Sequence, residues 1–158
     1  MAELIDVITY LCTRYPNKHD LSTARLTKLT YLADWKSALE RDEQMTSIQW
    51  VFDQFGPFVY DVKDAAVADP AFLVEDTMNM YGAPKTVIKL VRDRAYPSLS
   101  NEEQDILDWV VETSSKMTWN AFIRLIYSTY PIMSQDRGIK LDLVELAHEY
   151  RSEEFAEL

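Results

Sequence analysis

Apolar residues recur every three to four positions at the start of this chain, and that period predicts its first two elements. Leu4, Ile5, Ile8, Leu11, Cys12 and Tyr15 fall on one face of a helix that Pro16 and Asn17 end. Ser22 is placed to cap a second helix with the apolar face Leu26, Leu29, Leu32 and Ala33, flanked by Tyr31 and Trp35. Lys28, Asp34 and Lys36 of that helix are expected to stay solvated, and Arg41 to Gln44 reads as a polar connector. From Thr46 the period shortens. Ile48, Trp50 and Phe52 alternate with Ser47, Gln49 and Asp53, which suits a half-buried strand, a short helix being the alternative. Gly56-Pro57 ends this segment, and Tyr60 to Ala68 reads as helix, closed by Asp69-Pro70.

Two alternating, β-prone runs follow, Phe72 to Met80 and Lys85 to Val91, with Tyr81-Gly82-Ala83-Pro84 between them. Phe72, Val74, Asp76, Met78 and Met80 share one face, and Thr86, Ile88 and Leu90 share one in the second run, as a β-hairpin requires. The remainder is helical. Ser100 and Glu103 form a capping box ahead of Ile106, Leu107, Val110 and Val111. Thr118 caps a helix carrying Phe122, Ile123, Ile126, Tyr127 and Tyr130, with Met117 and Phe122 as a hydrophobic staple. Pro131 and Gly138 lie in the next connection, and Asp142 caps a last helix with Leu143, Leu146, Ala147 and Tyr150. The pattern predicts the α+β class: a mostly helical single domain over residues 1–158, with a small two- or three-stranded antiparallel sheet and a frayed tail over 150–158.

Composition narrows the function. Hydrophobic residues make up 47% of the chain, enough for a folded core. The net charge is −10, and residues 100–158 alone carry twelve acids against five bases. Such a chain is repelled by phosphate backbones, so direct nucleic-acid binding is disfavoured. The acidic surface serves solubility or a basic partner, or mimics nucleic acid. Cys12 is the only cysteine, so no intrachain disulfide is available. The N-terminal segment lacks the pattern of a secretory leader, and no apolar run reaches membrane-spanning length. A cytoplasmic protein with no membrane partner is expected.

No catalytic constellation is legible. His19 and His148 lack partners at metal-ligand spacing, so no metal or other cofactor is expected. Cys12 lies on an apolar face, as a structural thiol would. No nucleophile elbow, phosphate loop or dinucleotide glycine pattern occurs. The pairs Asp61/Asp64 and Asp105/Asp108 could each share a helix face, but surface charge is the plainer reading. Aromatic density around Trp35, Trp50, Phe52, Phe55, Phe58 and Tyr60 points to binding rather than catalysis. Of these, Trp50 and Phe52 are expected in the core, and Trp35, Phe55, Phe58 and Tyr60 are the candidate partner contacts.

Two blocks, RLTKLTYLADW and MTSIQWVFDQFGPFVYDV, carry a resemblance to the Panacea domain family, the SocA-like antitoxins. Leu26, Lys28, Leu29, Tyr31, Leu32, Ala33 and Asp34 match the family's helix block. Met45-Thr46 stands where Ile-Thr is common, and Phe55-Gly56-Pro57-Phe58 matches its aromatic Gly-Pro turn. Arg25 replaces the first family lysine. The resemblance implies a non-enzymatic antitoxin, encoded beside a toxin in bacteria or phages, that neutralises that cognate toxin by direct protein–protein binding. It also suggests an ATP-dependent protease as a further partner, to which the toxin would be handed. The alternative is an acidic phage or host interaction protein of the same fold, a DNA-mimic inhibitor without a toxin partner. The signature residues Lys28, Leu29, Tyr31, Asp34, Gly56 and Pro57 are expected to hold the scaffold. In a family with varied toxins, specific contacts should lie elsewhere.

Overall fold

The computed structural model describes residues 1–156. Its elements run α1 (Leu4–Arg14), α2 (Thr23–Arg41), β1 (Trp50–Asp53), β2 (Gly56–Phe58), α3 (Asp61–Ala68), β3 (Phe72–Met78), β4 (Pro84–Leu90), α4 (Asn101–Ser114), α5 (Trp119–Tyr127), α6 (Tyr130–Ser134), β5 (Lys140–Leu141) and α7 (Leu143–Ala156). This is the expected α+β arrangement, helices first and last with antiparallel strands between.

Helix α2 is the hub. It touches α1, α3, α4, α7, β2 and β4. Surrounded in this way, it has no broad solvated face, and thirteen of its residues from Arg25 to Ala38 are buried. The expectation that Lys28 and Asp34 stay in water is therefore wrong: they are 4% and 0% exposed. Around the hub, one continuous core joins Ile8 and Leu11 of α1, Leu29 and Leu32 of α2, Trp50 of β1, Leu107 of α4, Phe122 of α5 and Leu146 of α7.

The predicted helix caps are all present. The Ser22 side chain accepts from the Arg25 amide at 3.1 Å, Thr118 from Ala121 at 3.2 Å and Asp142 from Glu145 at 3.1 Å. Ser100 and Glu103 complete their capping box. Each satisfies a helix N–H that would otherwise lack an acceptor.

The strands form two sheets rather than one. β3 and β4 make the expected hairpin, in register Phe72↔Leu90, Val74↔Ile88 and Asp76↔Thr86. The second sheet has the order β2-β1-β5. Gly56-Pro57, expected to end a segment, instead opens β2 and turns the chain back on β1, with Asp53 opposite Gly56. Strand β5 closes the sheet from far along the chain, Trp50 pairing with Leu141. The connection around Pro131 holds a short helix, because proline at the first helical positions gives up an N–H that has no acceptor there anyway. Helix α7 continues to Ala156, through most of the stretch expected to fray; residues 157 and 158 lie outside the described residues.

Candidate partner surface and the signature beneath it

Asp34 is the most heavily hydrogen-bonded side chain of α2. Its Oδ1 accepts the Thr46 amide at 2.9 Å. Its Oδ2 accepts the Thr46 hydroxyl at 2.6 Å, the Trp50 indole N–H at 2.9 Å and the Gln44 amide at 3.4 Å. Gln44 also donates to the carbonyls of Thr46 and Ile48. One buried carboxylate thus anchors the whole segment that feeds β1. Burial pushes its carboxyl up to about 6, against the bonds from Thr46 and Trp50 that hold it down. Tyr31, one turn earlier, packs edge-on against Trp50 with ring centroids 5.5 Å apart, and its hydroxyl meets Thr129 at 2.8 Å. Leu29 is fully buried in the core.

Lys28 faces the opposite problem. Among the described residues its ammonium has neither a hydrogen-bond acceptor nor an ion-pair partner within 4.0 Å. Burial lowers its pKa, and the charge of Asp53 partly offsets that. Its tip still reaches water, since Thr27 Oγ1 is the one sealed side-chain polar atom without a partner among the described residues.

Gly56 has a φ of +104°, a conformation that L side chains rarely adopt. An added Cβ would meet the Tyr127 ring at an ordinary 3.7 Å, so backbone conformation, not space, selects glycine here. Pro57 pairs with Phe52 across the hairpin.

The candidate contact residues separate. Phe55, at the tip of the β1–β2 hairpin, is 72% exposed and Tyr60 is 70% exposed. Phe58 is half-buried and stacks edge-on with Tyr60, ring centroids 4.9 Å apart. Trp35 is withdrawn from the surface. At 7% exposure it lies in the core, edge-on to Tyr150 on α7, because α7 covers the flank of α2 that the helical period left open. Phe55, Phe58 and Tyr60 all follow from the segment that Asp34 anchors and Gly56 turns.

A protein-family model, antitoxin SocA-like, Panacea domain, matches residues 26–131. The chain belongs to that family. The match opens at Leu26, inside α2, and takes in the first signature block from its second residue and the whole of the second, so the buried Asp34 network and the Gly56 turn lie within the Panacea region. No curated protein and no solved structure matches the chain.

Other polar chemistry in this Panacea chain is structural in form. Asp6 on α1 is 1% exposed and accepts Arg94 at 2.7 Å, the Ser98 amide at 2.8 Å and the Ser98 hydroxyl at 2.6 Å. Arg94 also reaches Asp69 at 3.0 Å, so one guanidinium ties α1 to the segments on either side of the β3–β4 hairpin. No sequence pattern pairs these residues. Asp108 accepts the Tyr10 hydroxyl at 2.7 Å, which separates its role from that of exposed Asp105. Cys12 and His19 do share a cleft of about 430 Å³ with Lys18, Leu21, Ile88 and Leu90. Burial pushes the Cys12 thiol up to about 12, which leaves it protonated and weakly nucleophilic. Lys18 in that cleft donates to the carbonyls of Cys12 and Thr13, closing the end of α1. No cluster of three or more His, Cys, Asp or Glu suited to a metal ion occurs among the described residues. No helix among them is long and apolar enough to cross a membrane.

Proposed function

We propose that this chain is the antitoxin of a bacterial or phage toxin–antitoxin pair, acting in the cytoplasm and neutralising a cognate toxin by direct protein–protein binding. The observation that carries this reading is the Panacea family match over residues 26–131, which includes the buried Asp34 network. Phe55 and Tyr60 are the proposed contacts, with Phe58 packed behind Tyr60. Aromatic side chains offer large apolar area at low conformational cost, as interface anchors do. The excess of carboxylates supplies long-range attraction for a basic partner.

Mimicry of a phosphate backbone has less support. Arg41 sits among Glu43, Glu102 and Glu103, Arg151 pairs with Asp42, and Lys36 pairs with Glu40, so cations interrupt the acidic surface.

The test is co-purification. A tagged copy of this chain, co-expressed with the product of the adjacent gene, is expected to retain that product. Failure to retain it, from cells in which both accumulate, would remove direct binding. Hand-over to an ATP-dependent protease is a separate property. It predicts that the partner's half-life shortens when this chain is present, whereas simple blocking leaves that half-life unchanged.

A further inference from the structure

The β3–β4 hairpin has one guarded edge and one open edge. On the β4 side, Leu21 accepts the Ile88 amide at 3.0 Å, Ser22 bridges Val87, and the Thr23 hydroxyl reaches the Thr86 carbonyl. Pro84 removes one further N–H on that edge. On the β3 side no strand follows, since among the described residues the sheet has only these two members.

Parity shows which groups face the open side. The Ile88 amide points away from β3, toward Leu21, so Val74↔Ile88 is a pair that exchanges no hydrogen bonds. The pairs at Asp76↔Thr86 and Met78↔Pro84, two and four residues along, follow the same rule. The main-chain groups of Val74, Asp76 and Met78 therefore point outward from β3. Residues Glu75 to Met78 are exposed, and the apolar Met78, Met80 and Tyr81 beyond them are 70%, 88% and 86% exposed.

We infer that this open edge adds a strand supplied by the partner protein. The inferred strand is extended, with a lysine or arginine opposite Asp76 and apolar residues two positions to either side of it. Charge complementarity selects this occupant. The other hairpin acid, Glu75, is paired with Lys89 at 3.0 Å, whereas among the described residues Asp76 accepts only the neutral Thr86 hydroxyl, at 2.9 Å. A basic side chain would neutralise Asp76, while Val74 and Met78 on the same face take apolar neighbours. A second copy of this chain fits poorly: antiparallel pairing centred on Asp76 sets two like carboxylates opposite each other. The inference rests on the binding reading above and adds a contact element to Phe55 and Tyr60.

The test is amide hydrogen exchange with two probes, the purified product of the adjacent gene and the synthetic peptide Ac-Val-Thr-Lys-Thr-Val-NH₂. The expected result is slowed exchange at Val74, Asp76 and Met78. Asp76→Pro and Asp76→Lys should each weaken binding at least tenfold while leaving the circular dichroism spectrum intact. Proline at 76 blocks only an outward N–H, so the inner ladder survives. Glu112→Lys, the same charge change on α4, should weaken binding less than threefold. Binding of the gene product with protection elsewhere, or with full affinity in Asp76→Pro, would overturn the strand edge but leave the antitoxin reading standing. If the gene product does not bind, the antitoxin reading fails, and the peptide decides the edge: unshifted exchange at millimolar peptide overturns it. Concentration-dependent self-association that Asp76→Pro abolishes would also overturn the assigned occupant.

Discussion

Replacing Asp34 with alanine should cost this fold a large part of its stability, and the structure gives the size. The carboxylate accepts the Thr46 amide and the Trp50 indole N–H, both in residues that are at most 1% exposed. Neither donor can turn to a new acceptor, whereas the Thr46 hydroxyl can rotate. Each orphaned donor costs about 1–3 kcal/mol, so the pair costs about 4 kcal/mol. A domain of this size has a total stability of about 5–15 kcal/mol. The melting temperature should fall by roughly 8–16 °C, at about 2–4 °C per kcal/mol. Urea unfolding at pH 7, followed by tryptophan fluorescence, measures this directly. A loss under about 1 kcal/mol with an unchanged urea slope would refute the anchoring role. The pH dependence carries an independent sign. Folding raises the Asp34 carboxyl to about 6 from 3.8, so the proton-linked part of its contribution, which adds to the hydrogen bonds counted at pH 7, is complete below pH 4 and is lost as pH rises through 6. Two units correspond to on the order of 3 kcal/mol. The deficit of Asp34→Ala against wild type should therefore widen from pH 7 to pH 4, and a deficit that narrows would contradict the raised value.

Three further substitutions test other parts of the scaffold. Gly56→Ala should cost about 1–2 kcal/mol through its positive φ alone, and a neutral result in thermal melts would show that the turn is not under this constraint. Lys28→Met keeps the buried stem and removes an ammonium without a protein acceptor among the described residues, so the unfolding free energy from urea melts should hold or rise by about 1 kcal/mol; a clear loss would mean that the charge supports the fold. Arg94→Met should cost about 2–3 kcal/mol at pH 7 by stranding Asp6. Burial pushes the Asp6 carboxyl up, but the bonds from Ser98 and Arg94 outweigh it and hold the group below the ordinary carboxylate range. The Arg94→Met deficit should therefore shrink as pH falls below about 4, and a deficit that persists there would contradict the pairing.

The elements that could be read from the chain are those stabilised by near neighbours. Helix caps at Ser22, Ser100 and Thr118 act over three residues, and the β3–β4 register follows from alternation across one turn. What escaped depends on distant partners. Strand β5 is two residues long and exists only because Trp50 and Val51 lie beside it. The Asp6–Arg94 pair joins positions 88 apart. Lys28 and Asp34 read as solvated because charged residues on a helix normally face water. Here α2 is enclosed by helices and strands, and burial assigns the two residues different parts: Asp34 satisfies four donors, while the ammonium of Lys28 is left without a protein partner among the described residues. Within the candidate site, Phe55 and Tyr60 were legible as exposed aromatics beside a Gly-Pro turn. Trp35 was misplaced because nothing local announces that α7 will cover it.

Neutralisation itself is best tested by growth. The adjacent gene is induced alone and together with this chain, in cells otherwise free of both. The antitoxin reading predicts that the adjacent gene alone arrests growth and that co-expression of this chain restores it. Continued arrest, with both proteins present at comparable levels, would contradict it.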